Sequence, residues 1–104
     1  MELKEISPKV TVSPQIAASD MAAIKAAGYR AIICNRPDGE GADQPSFEEI
    51  EASAKAEGIE ARYVPVQSGM VTDEDVAAFG QALAEVQRPV LAYCRTGTRS
   101  ATLW

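Results

Sequence analysis

A chain of 104 residues carrying a formal charge of −5 is one domain with room for a single modest core. Nucleic acid and anionic membrane surfaces reward positive charge, so the acidic balance argues against both as partners. The chain has no histidine, which excludes Ser-His-Asp and Cys-His catalysis and histidine-based zinc sites, while its two cysteines cannot complete an all-thiolate site; neither metal nor cofactor is expected.

No run approaches the roughly 18 apolar residues of a membrane span. The opening Met1-Glu2-Leu3-Lys4-Glu5 is charged and lacks the apolar core of a signal peptide, so the expected compartment is the cytoplasm. There Cys34 and Cys94 are expected as thiols rather than as a structural disulfide.

Val10-Thr11-Val12, β-branched throughout, predicts a first strand ended by Ser13-Pro14. Ser19-Asp20 marks a helix start, and Gly28 sits where a helix over 21–27 needs its terminal glycine. Ala31-Ile32-Ile33-Cys34 is wholly apolar, as in a strand buried on both faces, and a polar turn-rich loop, Asn35 to Gly41, follows it. Ser46 with Glu49 forms a capping box for a helix that stops at Gly58. Arg62-Tyr63-Val64-Pro65-Val66 predicts a strand, with its proline pointing to an edge position. Thr72 with Asp75 caps a further helix, in which Val76, Phe79, Leu83 and Val86 recur at helical spacing until Pro89. Alternating strands and helices predict an α/β fold, a mostly parallel sheet flanked by helices. Phe47, Phe79 and Trp104 are expected in the core.

The chemistry gathers near the end. Val90 to Tyr93 is an apolar, strand-like run that delivers Cys94 into the short loop Arg95-Thr96-Gly97-Thr98-Arg99-Ser100, and small residues beyond it can open a helix. Inward-pointing backbone N–H groups of such a loop bind anions and favour a thiolate at its rim. Cys94 is therefore the candidate nucleophile, and Arg99 the candidate clamp, a planar fork that lysine cannot copy. Arg95, Thr96, Gly97, Thr98 and Ser100 complete the candidate anion-binding loop. Reading Cys94 as a plain buried cysteine leaves these residues unexplained together. Because the chain stops at Trp104, barely one turn into that last helix, a piece of a longer protein is expected.

The loop resembles the active loop of single-domain rhodaneses, sulfurtransferases that often read Cys-Arg-Ser-Gly-x-Arg-Ser. It is also similar to the phosphate loop of cysteine phosphatases, except that theirs puts five residues between cysteine and arginine where this chain has four, Arg95 to Thr98. Val12-Ser13-Pro14-Gln15-Ile16, Asn35-Arg36-Pro37-Asp38-Gly39-Glu40 and the loop together resemble the phosphatase-like domain of the beta-lactamase-hydrolase-like (Blh) family, over nearly the whole chain. The resemblance implies a dual-specificity-phosphatase type α/β fold with a rhodanese-length loop. It further implies a metallo-β-lactamase-type persulfide dioxygenase as a fused or separate partner.

Two enzymatic readings follow. A phosphatase needs an acid to protonate the leaving alcohol, and the dual-specificity pattern supplies it where this chain has Gln67 and Ser68. Asp38, Asp73 and Asp75 are substitutes if folding brings one over the loop. A sulfurtransferase needs no acid: Cys94 takes a sulfane sulfur and passes it to a thiol, with Arg95 or Arg99 stabilising the persulfide. The sequence reading favours sulfur transfer, with the phosphatase as alternative and a non-catalytic anion- or thiol-sensing module as a third reading. Arg36 and Asp38 either line the pocket or pair with each other. Cys34 is either a small core hydrophobe or, by likeness to phosphatases of this fold, a redox partner that captures Cys94.

Overall fold

A computed structural model describes residues 4–7, 9–42, 44–67 and 69–103, so Ser68 and Trp104 lie outside the described residues. In chain order the elements are β1 (Lys4–Ser7), β2 (Val10–Ser13), a 3-10 turn at Ala18–Asp20, α1 (Met21–Ala26), β3 (Ala31–Cys34), α2 (Phe47–Ala56), β4 (Glu60–Tyr63), α3 (Asp73–Glu85), β5 (Val90–Tyr93) and α4 (Thr98–Leu103). The strands form one sheet in the order β1-β2-β5-β3-β4. β2, β5, β3 and β4 run parallel, and β1 joins the outer edge of β2 antiparallel.

Alternation along each strand splits the core into two layers. Leu91, Tyr93, Ile32 and Cys34 face α1 and α2, where Met21, Ile24, Ile50 and Ala54 cover them. Val90, Ala92, Ala31, Ile33, Val10 and Val12 face Phe79, Ala82 and Leu83 of α3 and Leu103 of α4. The chain steps outward from β2 to β3 to β4 through α1 and α2. It then returns to the centre through α3, which therefore lies on the opposite face, as a constant crossover hand requires. The result is a helix–sheet–helix sandwich with β5 in its middle.

Two elements differ from expectation. The charged opening stretch forms β1, which propensity does not announce because an edge strand is decided by pairing more than by composition. The strand expected over 62–66 is registered over Glu60–Tyr63, at the sheet edge as its proline suggests. Pro65 has no N–H to give, so beyond Tyr63 only the single bonds Val64 N–H to Cys34 O and Val66 N–H to Asn35 O continue the pairing. Of the expected helix starts, Thr72 and Asp75 exchange both bonds of a capping box, and Ser46 accepts from Glu49 N as one half of one. Ser19-Asp20 lies in the 3-10 turn that leads into α1, with no side-chain cap bond from Asp20 to that helix.

Leu91 is fully buried in the central strand, so Leu91→Ala should cost about 2–5 kcal/mol, whereas removing one exposed helix cap with Thr72→Ala should cost about 1 kcal/mol. Urea unfolding of the two variants beside wild type measures both. A Leu91→Ala loss no larger than the cap loss would show that the β5 position is not tightly packed.

Candidate functional site

Ligands of parallel sheets sit beyond the carboxyl ends of the strands, and β5 leads there from the sheet centre. The loop that follows is tied to the segment after β2: Cys94 N–H donates to Ser13 O at 3.3 Å, and Gln15 N–H donates to Arg95 O at 3.3 Å. Within the loop, Gly97 N–H donates to Cys94 Sγ at 3.1 Å. Gly97 holds φ at +90°, and a Cβ there would stand 3.4 Å from the Ser13 carbonyl carbon, so conformation and space both call for glycine. Cys94 itself is fully buried, on the floor of the loop rather than at its rim. Cys94 directly follows β5, which lies between β2 and β3 in the sheet.

Arg99 lies over this floor, 8 % exposed. Its Nη1 donates to Glu40 Oε2 at 2.7 Å and to Val66 O at 2.9 Å, and its Nη2 donates to Glu40 Oε1 at 2.9 Å. Glu40 also accepts from Arg36 Nε at 3.1 Å, and Arg36 Nη1 reaches Gln15 Oε1 at 3.1 Å. One carboxylate thus bridges two buried guanidiniums. The Arg99 hydrogen bonds, and then those of Arg36, hold the Glu40 carboxyl below the usual glutamate range, so it is ionised at neutral pH. The Glu40 hydrogen bonds in turn raise the Arg99 pKa against the opposing effect of burial.

Glu40, Arg95, Thr96, Thr98 and Arg99 line a pocket of about 270 Å³ at the loop. Thr96 and Thr98 point outward and share a hydroxyl contact at 3.2 Å, while Arg95 is exposed. Ser100 belongs to the loop in sequence but not to the pocket. Its hydroxyl is buried and donates to Asn35 Oδ1 at 2.8 Å, and Asn35 Nδ2 passes on to Val64 O at 2.9 Å. The short Ser side chain, one residue into α4 past Arg99, points back at the sheet and locks two loops together.

The other candidates divide. Arg36 does reach the site, through Glu40 rather than through Asp38. Asp38 turns away: its carboxylate accepts from Phe47 N at 2.8 Å, at the start of α2, and its N–H donates to the Tyr63 hydroxyl at 2.9 Å. The Tyr63 ring stacks on Phe47 at 4.9 Å between centroids, so Phe47 is only partly core, whereas Phe79 is fully so. Gln67 is exposed, and its carbonyl takes the turn bond from Met70 N–H; only the neighbouring Val66 carbonyl meets Arg99. Asp73 and Asp75 lie in the first turn of α3, where Asp75 closes the capping box. None of the three aspartates named as substitute acids lines the pocket. The carboxylate that does, Glu40, is a residue that sequence reasoning missed. Its place in the Asn-Arg-Pro-Asp-Gly-Glu stretch was the available signal.

Cys34 and Cys94 are both free thiols. The register sets Cys34 opposite Tyr93, one residue short of Cys94, and both Cys34 and Tyr93 belong to the layer beneath α1 and α2. Cys34 Sγ donates to Arg36 O at 3.2 Å, and burial pushes its thiol pKa up in spite of that bond and of the Tyr93 hydroxyl nearby. The Tyr93 hydroxyl is buried without a partner at regular hydrogen-bond geometry, and burial, with Cys34 beside it, pushes its pKa up strongly. Among the described residues no group of three or more acidic or cysteine side chains could hold a metal, and no helix is long and apolar enough to cross a membrane.

Residues 2–104 match the family model described as "Beta-lactamase hydrolase-like protein, phosphatase-like domain". The beta-lactamase hydrolase-like protein of Agrobacterium fabrum (strain C58) is 36 % identical over the whole chain, which spans 24 % of that relative's length. The crystal structure of a candidate phosphatase from Neisseria meningitidis Z2491 superposes with a TM-score of 0.93 at 37 % identity, covering 100 % of this chain and 74 % of that one. The core catalytic domain of the PP-IP phosphatase Siw14 from S. cerevisiae, solved with citrate, shares the fold at a TM-score of 0.74 and 15 % identity, covering 97 % of this chain and 60 % of that one. The α/β arrangement is that of the cysteine phosphatases.

Two outcomes test the site's construction. Gly97→Ala should destabilise the fold by about 1–2 kcal/mol through its left-handed backbone alone, with the Ser13 contact adding to it. Glu40 has its folded pKa lowered, so its ion pair contributes stability above the unfolded value and loses it as pH falls through the folded one. With its side chain 25 % open to screening, Glu40→Gln should cost about 1 kcal/mol at neutral pH, and the gap to wild type should close as pH is lowered below the usual glutamate range. Denaturation midpoints across that range check it; a gap independent of pH would show that the carboxylate charge is not what matters.

Proposed function

The chain belongs to the phosphatase-like domain family of beta-lactamase hydrolase-like proteins, and on that footing we propose that it is a cysteine-dependent phosphatase, with Cys94 as nucleophile and Arg99 as the group that receives the phosphoryl oxygens. The observation that carries this reading is the buried Cys94 Sγ accepting the Gly97 N–H in a loop that also carries the buried Arg99. The likeness to the Neisseria candidate phosphatase, at 37 % identity over the full chain, supports the same chemistry. In the proposed reaction the Cys94 thiolate attacks phosphorus, and the bond from phosphorus to the leaving oxygen breaks with its electron pair. Water then cleaves the phosphocysteine, releasing inorganic phosphate and a proton and restoring the thiolate.

Glu40 is ionised and already occupied by two arginines, so it is not a proton donor to the leaving group. The reading therefore favours esters whose leaving group departs unaided, such as aryl phosphates, over alkyl phosphates. Sulfur transfer, the reading the sequence favoured, keeps one specific support: the four-residue spacing from Cys94 to Arg99 makes a small cradle. The family and the structural likeness weigh on the phosphatase side. The chain covers about a quarter of its curated relatives' length, so the activity of any longer protein around it is a separate question.

One preparation assayed for aryl-phosphate hydrolysis and for thiosulfate-to-cyanide transfer tests the choice. Hydrolysis is expected to dominate and to vanish in Cys94→Ser. Arg99→Lys should lose about a hundredfold in kcat/KM, nearly as much as Arg99→Ala, because the fork is lost with the charge kept. Sulfur transfer exceeding hydrolysis would replace the phosphatase reading with the sulfurtransferase.

A further inference from the structure

A guanidinium carries five N–H donors. In Arg99 both Nη1 donors and one Nη2 donor are spent, on Glu40 Oε2, Val66 O and Glu40 Oε1. The two that remain, Nε–H and the second Nη2–H, lie parallel along a single edge and have no partner among the described residues. Such an edge fits one oxyanion with two hydrogen bonds.

From this donor count we propose that Glu40 is a positioning residue: braced by Arg36, it grips one edge of Arg99 so that the other edge is presented to the substrate's oxyanion. The proposal rests on the reading of the Cys94–Ser100 loop as an oxyanion cradle and adds the device that aims it. The rival account puts the Glu40 carboxylate in the oxyanion's own place, as an occupant that substrate must displace. The contacts favour a frame over an occupant. Glu40 is held from behind by Arg36 Nε, and Arg36 by Gln15. Arg36 is in turn packed against the loop backbone, where a Cβ on Gly41 would stand 2.8 Å from its Nη2. Val66 O grips Nη1 independently of the carboxylate. Arg36 and Arg99 are 7 % and 8 % exposed, so the shared carboxylate is also the counter-charge that lets two buried cations lie together.

Inorganic sulfate, titrated calorimetrically into folded protein at neutral pH, tests the proposal without relying on turnover. Wild type should bind and Arg99→Ala should not. Glu40→Gln should weaken sulfate by about tenfold or more, because a fork free to swing no longer meets the anion. Glu40→Asp, which keeps the charge on a shorter arm, should recover part of that loss. Gly41→Ala leaves Glu40 in place but displaces Arg36, and should weaken sulfate in the same direction; it decides the matter if Glu40→Gln fails to fold. Sulfate bound equally or more tightly by Glu40→Gln, or by Gly41→Ala, would make Glu40 an occupant or a bystander and overturn the proposal. No sulfate binding by wild type, or undiminished binding by Arg99→Ala, would instead sink the cradle reading beneath it.

Discussion

Two arginines buried at one end of a sheet repel each other and forgo water, so a single carboxylate has to lie between them. Glu40 does so, and much of the site's geometry follows. Arg36 comes from the loop after β3, Arg99 from α4, Val66 from the chain after β4 and Gln15 from the chain after β2. Around one ion-pair cluster, four segments that share no secondary structure become one rigid rim. The loop beneath is fixed separately, by Ser13 and Gln15 on one side and by the Ser100–Asn35 bond on the other.

Burial divides the loop: Cys94 and Arg99 are buried, while the exposed Arg95, Thr96 and Thr98 face outward. Cys34 is one register step away, in the apolar layer beneath α1 and α2, and burial pushes its thiol pKa up.

The fold and the cysteine loop were legible in the sequence because they are written locally. Ala31 to Cys34 reads as a buried strand from four apolar residues in a row, and Ser46 and Thr72 announce their helices through bonds three residues long. The brace was not legible. A glutamate in a turn-rich loop has no periodicity, and Glu40 meets Arg99 across 59 residues of chain, as Asn35 meets Ser100 across 65. Asp38 misled for the complementary reason: an aspartate beside a functional loop looks like an acid in waiting, but its carboxylate is spent on the first amide of α2. β1 was missed since its pairing partner, not its own composition, makes it a strand.

The middle position of β5 also bears on how the chain reaches this state. β2 and β3 do not pair with one another; each waits for the last of the five strands in chain order to slide between them. A nascent chain emerging from the ribosome therefore holds two apolar strands with open inner edges until residues 90–93 arrive, and such edges are templates for pairing with other chains. Until that insertion there is no floor for Cys94 and no Arg99 for Glu40 to grip. The pocket around Arg99 comes into being in the same event that closes the sheet, so a half-made copy exposes open edges before that pocket exists.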